Sequence, residues 1–294
     1  MFKAPLTYYI SSTTHWDPKV RSILMNEFAA RGEKHLVFSD GLIMLCMRDF
    51  SQVKMLREEM DAAGLTFVDS HAPFGPPNDL NCPFEEIRSR MIAYNVLCME
   101  FAAEFGVKTI TIHAGNNHFP GGIEVPVSKH VDYMKDSLDR LLPHAERLGM
   151  TICIENIWFT CNTGECLLKV KEAFPTDALG FCYDVGHANL TLKDRGTDEN
   201  AAVKAWRTVG NTGPVVWQPD LLKDMLPHIV NCHIHDNNGI RDEHLPPGLG
   251  NVDWSYVIPM LNNAPRLQCL QSEAFMTSVG DICTRLRDLE KKYT

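Results

Sequence analysis

The chain has 294 residues, 45% of them hydrophobic, and a formal net charge of −9. That length buries a sizeable core and suits one large domain over 1–294, as is common for α/β barrels of this size. The acidic balance disfavours nucleic acid and anionic membranes as partners. The lack of a run of about 18 apolar residues disfavours a spanning helix. An N-terminus that turns polar after Ile10 does not read as a signal peptide, so a cytoplasmic protein is expected.

LTYYIS (6–11) reads as the first strand, followed by a helix from Asp17 to about Ala30. HLVF and LIMLCM flank an Asp40–Gly41 turn signal, and one or both are expected to form the second strand region. Residues 51–63 read as a helix stopped by Gly64, and LTFVDSH as the third strand. Ile87, Met91, Tyr94, Cys98, Phe101 and Phe105 recur at spacings of three and four, a helical stripe with Pro83 near its start and Gly106 at its end. VKTITIH is the fourth strand. Val131 to Leu148 carries the next helix, closed by Gly149, with a kink predicted at Pro143.

TICIEN pairs with a helix near 164–173, and LGFCYD with a polar connection from about 188 to 213. That connection is too long to be idle and is expected to form a lid or interface. A short helix over Leu221–Leu226, the strand IVNCHIH, a helix over Trp254–Leu261, the strand LQCLQSE and a closing helix marked by Ile282, Leu286 and Leu289 complete the chain. Eight strand–helix pairs with near-continuous apolar strands imply a parallel sheet closed into a (β/α)8 TIM barrel. The ten cysteines show no regular pairing. Cys46, Cys153, Cys182, Cys232 and Cys269 lie in apolar runs, which fits buried free thiols, and Cys161 and Cys166 lack the paired CxxC pattern of a zinc site.

Six of these strands end in a ligand-type residue followed by turn chemistry: His71, His113, Glu155, Asp184, His233 and Glu273. Strand side chains alternate, so Ile112, Ile152, Ile154, Phe181 and Tyr183 should face the helices and the polar or small set the barrel axis. Axis-facing residues at C-terminal strand ends form the active-site mouth of such barrels. Glu155, Asp184, His233 and Glu273 come from strands five to eight. Three carboxylates and an imidazole suit a divalent cation such as Mn²⁺, Zn²⁺, Mg²⁺ or Co²⁺, without which the carboxylates would repel one another.

A second group surrounds this set. His187 lies three residues beyond Asp184, His235 shares a face with His233, and Asp242 and His244 lie in the Gly/Pro-rich loop after strand seven. With His71 and His113 these are candidates for substrate contact or a second metal, although an Asp-x-His pair can equally hydrogen-bond loop backbone. His15 and His118 are weaker candidates of the same kind. Trp16, Phe74 and Trp158 would wall a pocket or simply pack.

From HAPF to SEAF the chain resembles the xylose-isomerase-like TIM-barrel superfamily, which includes sugar isomerases and epimerases, inosose-type dehydratases and the zinc AP endonucleases. HIHDNNGIRDEHLPPGLGNVDW is similar to the strand-seven signature of sugar phosphate isomerases/epimerases. The resemblance to ketose 3-epimerases implies one metal on Glu155, Asp184, His233 and Glu273. It also implies that Glu155 and Glu273 act as the catalytic acid–base pair through an enediolate and that His187 contacts substrate. The resemblance to AP endonucleases implies a three-zinc set on His71, His113, Glu155, Asp184, His187, His233, Asp242, His244 and Glu273. All nine are present, but the acidic charge and the lack of a basic cluster argue against a DNA-groove binder. The expected function is a divalent-metal-dependent isomerase or epimerase of a small-molecule sugar or sugar phosphate. The alternatives are a dehydratase on the same site, then a trinuclear zinc phosphodiesterase or a non-catalytic sugar-binding barrel. Assembly into a homo-oligomer is left open.

Overall fold

Eight parallel strands close into a barrel in strict chain order, with β1 paired to both β2 and β8. The structure is a computed structural model that describes residues 2–10, 17–117, 119, 123–192, 195–208, 215–275 and 278–294. The strands are β1 Leu6–Tyr8, β2 His35–Phe38, β3 Thr66–His71, β4 Thr109–His113, β5 Thr151–Glu155, β6 Leu179–Asp184, β7 Ile229–Ile234 and β8 Cys269–Ser272. The helices are α1 Pro18–Ala30, α2 Asp40–Arg48, α3 Ser51–Ala63, α4 Glu85–Glu104, α5 Val127–Leu148, α6 Gly164–Ala173, α7 Val185–Thr191, α8 Ala201–Thr208, α9 Leu221–Met225, α10 Trp254–Asn262 and α11 Val279–Tyr293. Among the described residues, no helix is long and apolar enough to cross a membrane. All ten cysteines are free and buried.

Of the two runs offered for the second strand region, one forms it, and the Asp40–Gly41 turn signal is not borne out. HLVF is β2, but LIMLCM is helix α2, with Asp40 and Gly41 in its first turn rather than in a hairpin. Leu42, Ile43, Leu45 and Cys46 are buried while Met44 and Met47 are half-buried. That is the i, i+1, i+3, i+4 pattern of one helix face, which a short apolar run does not separate from a strand. Helices α3 and α5 stop at Gly64 and Gly149, both in the left-handed conformation that lets a helix cap itself. Pro143 lies inside α5, which runs through it to Leu148. The long connection after β6 carries α7 and α8. Trp206 of α8 is buried and donates its indole N–H to the Trp158 carbonyl (3.0 Å), tying the connection to the loop after β5. His15, Trp16, His118 and residues 193–194 and 209–214 of that connection lie outside the described residues.

The apolar layer between strands and helices contains Ile112, Ile152, Ile154, Phe181 and Tyr183, as strand alternation requires. Inside the barrel the small set Cys153, Cys182 and Val230 packs separately. The interior is otherwise polar, with Thr7, Asp69, Thr111, Asn231 and Gln271 all buried. Asp69 of β3 accepts from Thr7 Oγ1 (3.0 Å) and Cys269 Sγ (3.3 Å), contacts that span the barrel because β3 and β8 are not neighbours.

Burial pushes the Asp69 carboxyl up from 3.8 to about 6, against the pull of those two donors. A raised native value means the folded state holds the proton more tightly than the unfolded chain. Stability is therefore lost as pH rises from 3.8 to about 6. Asp69→Asn mimics the protonated form. In cation-free protein it is expected to be more stable than the parent by about 3 kcal/mol at pH 7.5, with the difference gone below pH 3.8. Urea denaturation at the two pH values checks this, and an equal difference at both would contradict it.

Candidate metal centre and active site

The C-terminal strand ends bring the expected residues to one level, since His113 is in register with Glu155 and Asp184 with His233. His233 Nδ1 lies 3.5 Å from Glu155 Oε1, 3.4 Å from Asp184 Oδ2 and 3.3 Å from Glu273 Oε2. Both ring nitrogens of His233 are buried, and neither is aligned for a hydrogen bond. Three carboxylates thus converge on an imidazole whose own polar atoms have no satisfied partner, an arrangement that a divalent cation would complete.

Glu155, 1% exposed, is the hub of the wider ring. His71 Nε2 and His113 Nε2 each lie 3.3 Å from its Oε2, and His187 Nδ1 lies 3.1 Å from its Oε1. His71 Nδ1 faces the Ala72 carbonyl (2.7 Å) and His244 Nδ1 the Glu273 carbonyl (2.9 Å). A carbonyl only accepts, so Nδ1 carries the proton in both rings. Each Nε2 then faces a carboxylate, Glu155 for His71 and, at 3.0 Å, Asp242 for His244. Such a contact repels unless a proton or a cation lies between the two groups, and backbone-anchored imidazoles of this kind are typical of metal ligands.

The charges interlock. Burial alone would raise Glu155, but His113 and His233 hold it well below the carboxylate range. Burial would lower His187, but Asp184 and Asp242 hold it well above the usual imidazole value. Asp242 likewise overcomes the burial of His244 and lifts it to about 9. Asp184 accepts the backbone N–H of His187 (2.7 Å), capping α7, and His235 Nε2 lies 3.0 Å from both of its oxygens. His187 Nε2, 3.4 Å from Asp242, completes a second cluster with His235, Asp242 and His244, in which His235 Nδ1 and Asp242 Oδ1 are also buried without partners.

The loop after β7 positions Asp242 and His244. Its organiser is Asp236, which sequence reasoning missed. Its buried carboxylate accepts from the backbone N–H groups of Asn237 (2.9 Å), Gly248 (2.9 Å) and Val252 (3.1 Å) and from the Trp254 indole (2.9 Å). Asp236 and Leu245 also exchange two backbone hydrogen bonds. These contacts hold His244 at φ 46°, a left-handed conformation unusual for a residue other than glycine and one whose strain the surrounding structure has to offset.

A family model described as the xylose isomerase-like TIM barrel matches residues 43–267. The chain belongs to that family. An uncharacterised protein of Methanocaldococcus jannaschii is 29% identical over 215 residues, which is 71% of this chain and 64% of that protein, so the match spans under two thirds of the relative. A D-tagatose 3-epimerase-like protein has a TM-score of 0.72 at 20% identity, covering 98% of both chains. A 3-keto-D-glucoside 4-epimerase from E. coli has a TM-score of 0.71 at 14% identity, covering 98% of this chain and 99% of that one. At these identities the likeness is one of fold.

In this xylose isomerase-like barrel His71, His113, Glu155, His187, Asp242, His244 and Glu273 line a cavity of about 1160 Å³, while Asp184, His233 and His235 do not. Phe74 stacks on His113 (centroids 4.6 Å apart, 19°) and Trp158 meets His187 edge-on (4.8 Å, 72°), so two of the three candidate wall aromatics line it, Trp16 lying outside the described residues. Phe275 stacks on His244 (4.9 Å, 24°). Tyr9 and Asp40 also line it and were not singled out from sequence, and the Tyr9 hydroxyl donates to Asp40. Tyr9 directly follows β1, so the strand-end rule applied to the first strand would have found it. Asp40 was hidden by its reading as a turn residue.

Gly186, between Asp184 and His187, is set by a close approach. A Cβ there would lie 2.0 Å from Cε1 of His235. Gly186→Ala is therefore expected to displace His235 from Asp184 and to weaken divalent-metal affinity by about 10–100-fold. Metal titration of the purified variant checks this, and unchanged affinity would mean that His235 does not support the centre.

Proposed function

We propose that this protein is a divalent-metal-dependent isomerase or epimerase of a sugar, with Glu155, Asp184, His233 and Glu273 as the metal ligands and Glu155 and Glu273 as the acid–base pair. The observation that carries the reading is the convergence of those three carboxylates on the buried His233 ring, whose nitrogens have no aligned hydrogen bond. A cation held there would supply positive charge against the oxyanion that builds up when a C–H beside a carbonyl loses its proton. Glu155 and Glu273 reach the same point from β5 and from just past β8, which are not neighbouring strands. One removes the proton from carbon and the other returns it. Gln271 Nε2 donates to Glu273 Oε1 and holds that carboxylate toward the mouth. His187, His71 and His113 would orient the substrate oxygens. The similar folds, a D-tagatose 3-epimerase-like protein and a 3-keto-D-glucoside 4-epimerase, agree with this class of reaction.

The second cluster, His187, His235, Asp242 and His244, supports a second reading, a multinuclear hydrolase of phosphodiesters. Against it, the described cavity lining has no Lys or Arg to receive a phosphodiester backbone. Metal stoichiometry and proton exchange separate the two. The metal-loaded protein is expected to wash deuterium from solvent into a ketose, to stop when the metal is chelated and to resume when it is restored. Exchange that survives chelation, or no exchange into any of a panel of ketoses, would sink the isomerase reading.

A further inference from the structure

One carboxylate in the cavity lacks a basic partner. Among the lining residues, Glu27 faces Arg31 (3.4 Å) and Asp79 faces His113 (4.0 Å). Glu155, Asp242 and Glu273 face His71, His244 and His233 at 3.3, 3.0 and 3.3 Å. Asp40, in the first turn of α2, also lines the cavity but forms no ion pair among the described residues. Its carboxylate accepts one hydrogen bond there, from the Tyr9 hydroxyl.

Tyr9 stands beside the reacting groups. Its backbone N–H donates to the carbonyl of Ser272 (3.1 Å), the residue before Glu273, and its ring meets His71 edge-on (6.5 Å, 86°). Burial, and then Asp40, push the Tyr9 hydroxyl well above its usual range, so it stays neutral. A phenol has one proton to donate, and Tyr9 gives it to Asp40. Both groups then show the cavity lone pairs only. Such a pair takes a hydrogen-bond donor and repels an anion. A phosphate monoester carries close to two negative charges at neutral pH and is held by Arg, Lys or a helix N-terminus. Among the described lining residues there is no Lys or Arg to offer it.

We infer that Tyr9 and Asp40 form a specificity subsite that accepts from a donor group of the substrate, a hydroxyl or a protonated amine, and rejects a phosphate or carboxylate at that position. Asp40 reads the donor, and Tyr9 is a positioning residue that fixes its carboxylate. The inference rests on the reading of the adjacent cluster as a sugar isomerase or epimerase centre.

Calorimetry on the metal-loaded full chain tests this with D-fructose and D-tagatose and with their deoxy, amino-deoxy and phosphate derivatives at either terminal carbon. At one terminal carbon, removing the hydroxyl or phosphorylating it is expected to weaken binding at least about tenfold, the scale of a hydrogen bond to a charged group. An amine there is expected to bind at least as well as the hydroxyl. An amine about tenfold tighter than the parent assigns the subsite to an ammonium, and equal binding assigns it to a hydroxyl. In Asp40→Asn the penalty on the phosphate is expected to fall below about threefold, because the repelling charge is gone while the shape is kept. Tyr9→Phe, which leaves the carboxylate free to turn, is expected to shrink the penalty on the deoxy sugar. Metal affinity should match the parent in both variants. Phosphates that bind as well as the parents overturn the inference, as does a failure of every hydroxyl- and amine-bearing probe to bind. Asp40→Asn that lowers stability to urea but leaves the ratios unchanged also overturns it, since Asp40 would then serve only the N-terminus of α2. Deuterium exchange in the same preparation keeps the two levels apart. Exchange into a ketose with no discrimination at Asp40 defeats this inference and leaves the isomerase reading, whereas discrimination without exchange into any ketose defeats the isomerase reading.

Discussion

Glu155→Gln is expected to leave the barrel folded and to lower turnover by about 10⁴, near the upper end of what a positioned acid or base contributes. The amide has nearly the same shape, so the contacts of Glu155 with His71, His113 and His187 at 3.1–3.3 Å persist in form. What is lost is the charge those imidazoles and His233 face, and the lone pair that takes the proton. Circular dichroism and urea denaturation report the fold, and metal analysis reports retention of the cation. A comparison with Glu273→Gln sharpens the result. If each glutamate serves one face of the reacting carbon, each variant should still exchange deuterium with one of the two epimers and not with the other. Turnover of Glu155→Gln within tenfold of the parent would remove Glu155 from the acid–base role.

Asp236→Ala is expected to cost about 3–5 kcal/mol of stability, the range for removing one partner of a buried charged network. Four donors, from Asn237, Gly248, Val252 and Trp254, lose their shared acceptor at once. The loop they close carries Asp242 and the strained His244, so the second cluster should disperse as well. Asp236→Asn keeps one acceptor oxygen and should recover part of the loss. Urea denaturation measures the cost, and a loss below about 1 kcal/mol would mean that water replaces the carboxylate.

The barrel was legible because its signals are local and repeated. Each strand is a short apolar run closed by turn chemistry, and alternation alone assigns Ile152 and Ile154 to the helix side and Cys153 and Glu155 to the axis. LIMLCM stayed open for a local reason too. Six apolar residues satisfy either periodicity, and only packing against the neighbouring helices chose the helix. Asp236 was passed over because its neighbours in sequence, His233, His235, Asp242 and His244, have the more conspicuous chemistry. Its role depends on donors 12 to 18 residues away, brought back by the loop.

By itself the sequence determined the strand–helix alternation, the eight units and which residues stand at the strand ends, since these follow from side-chain polarity and backbone preference over a few residues. Only the tertiary structure decided how those ends are used. Pairing of β8 with β7 sets Glu273 Oε2 3.3 Å from His233 Nδ1. The closed barrel leaves both nitrogens of that ring without an aligned hydrogen bond, packs His235 against Gly186 and puts two exposed phenylalanines at a cavity whose described lining is acidic and includes no Lys or Arg. Distances between strands far apart in sequence, and the burial that makes an unpaired nitrogen costly, exist only once the barrel is closed.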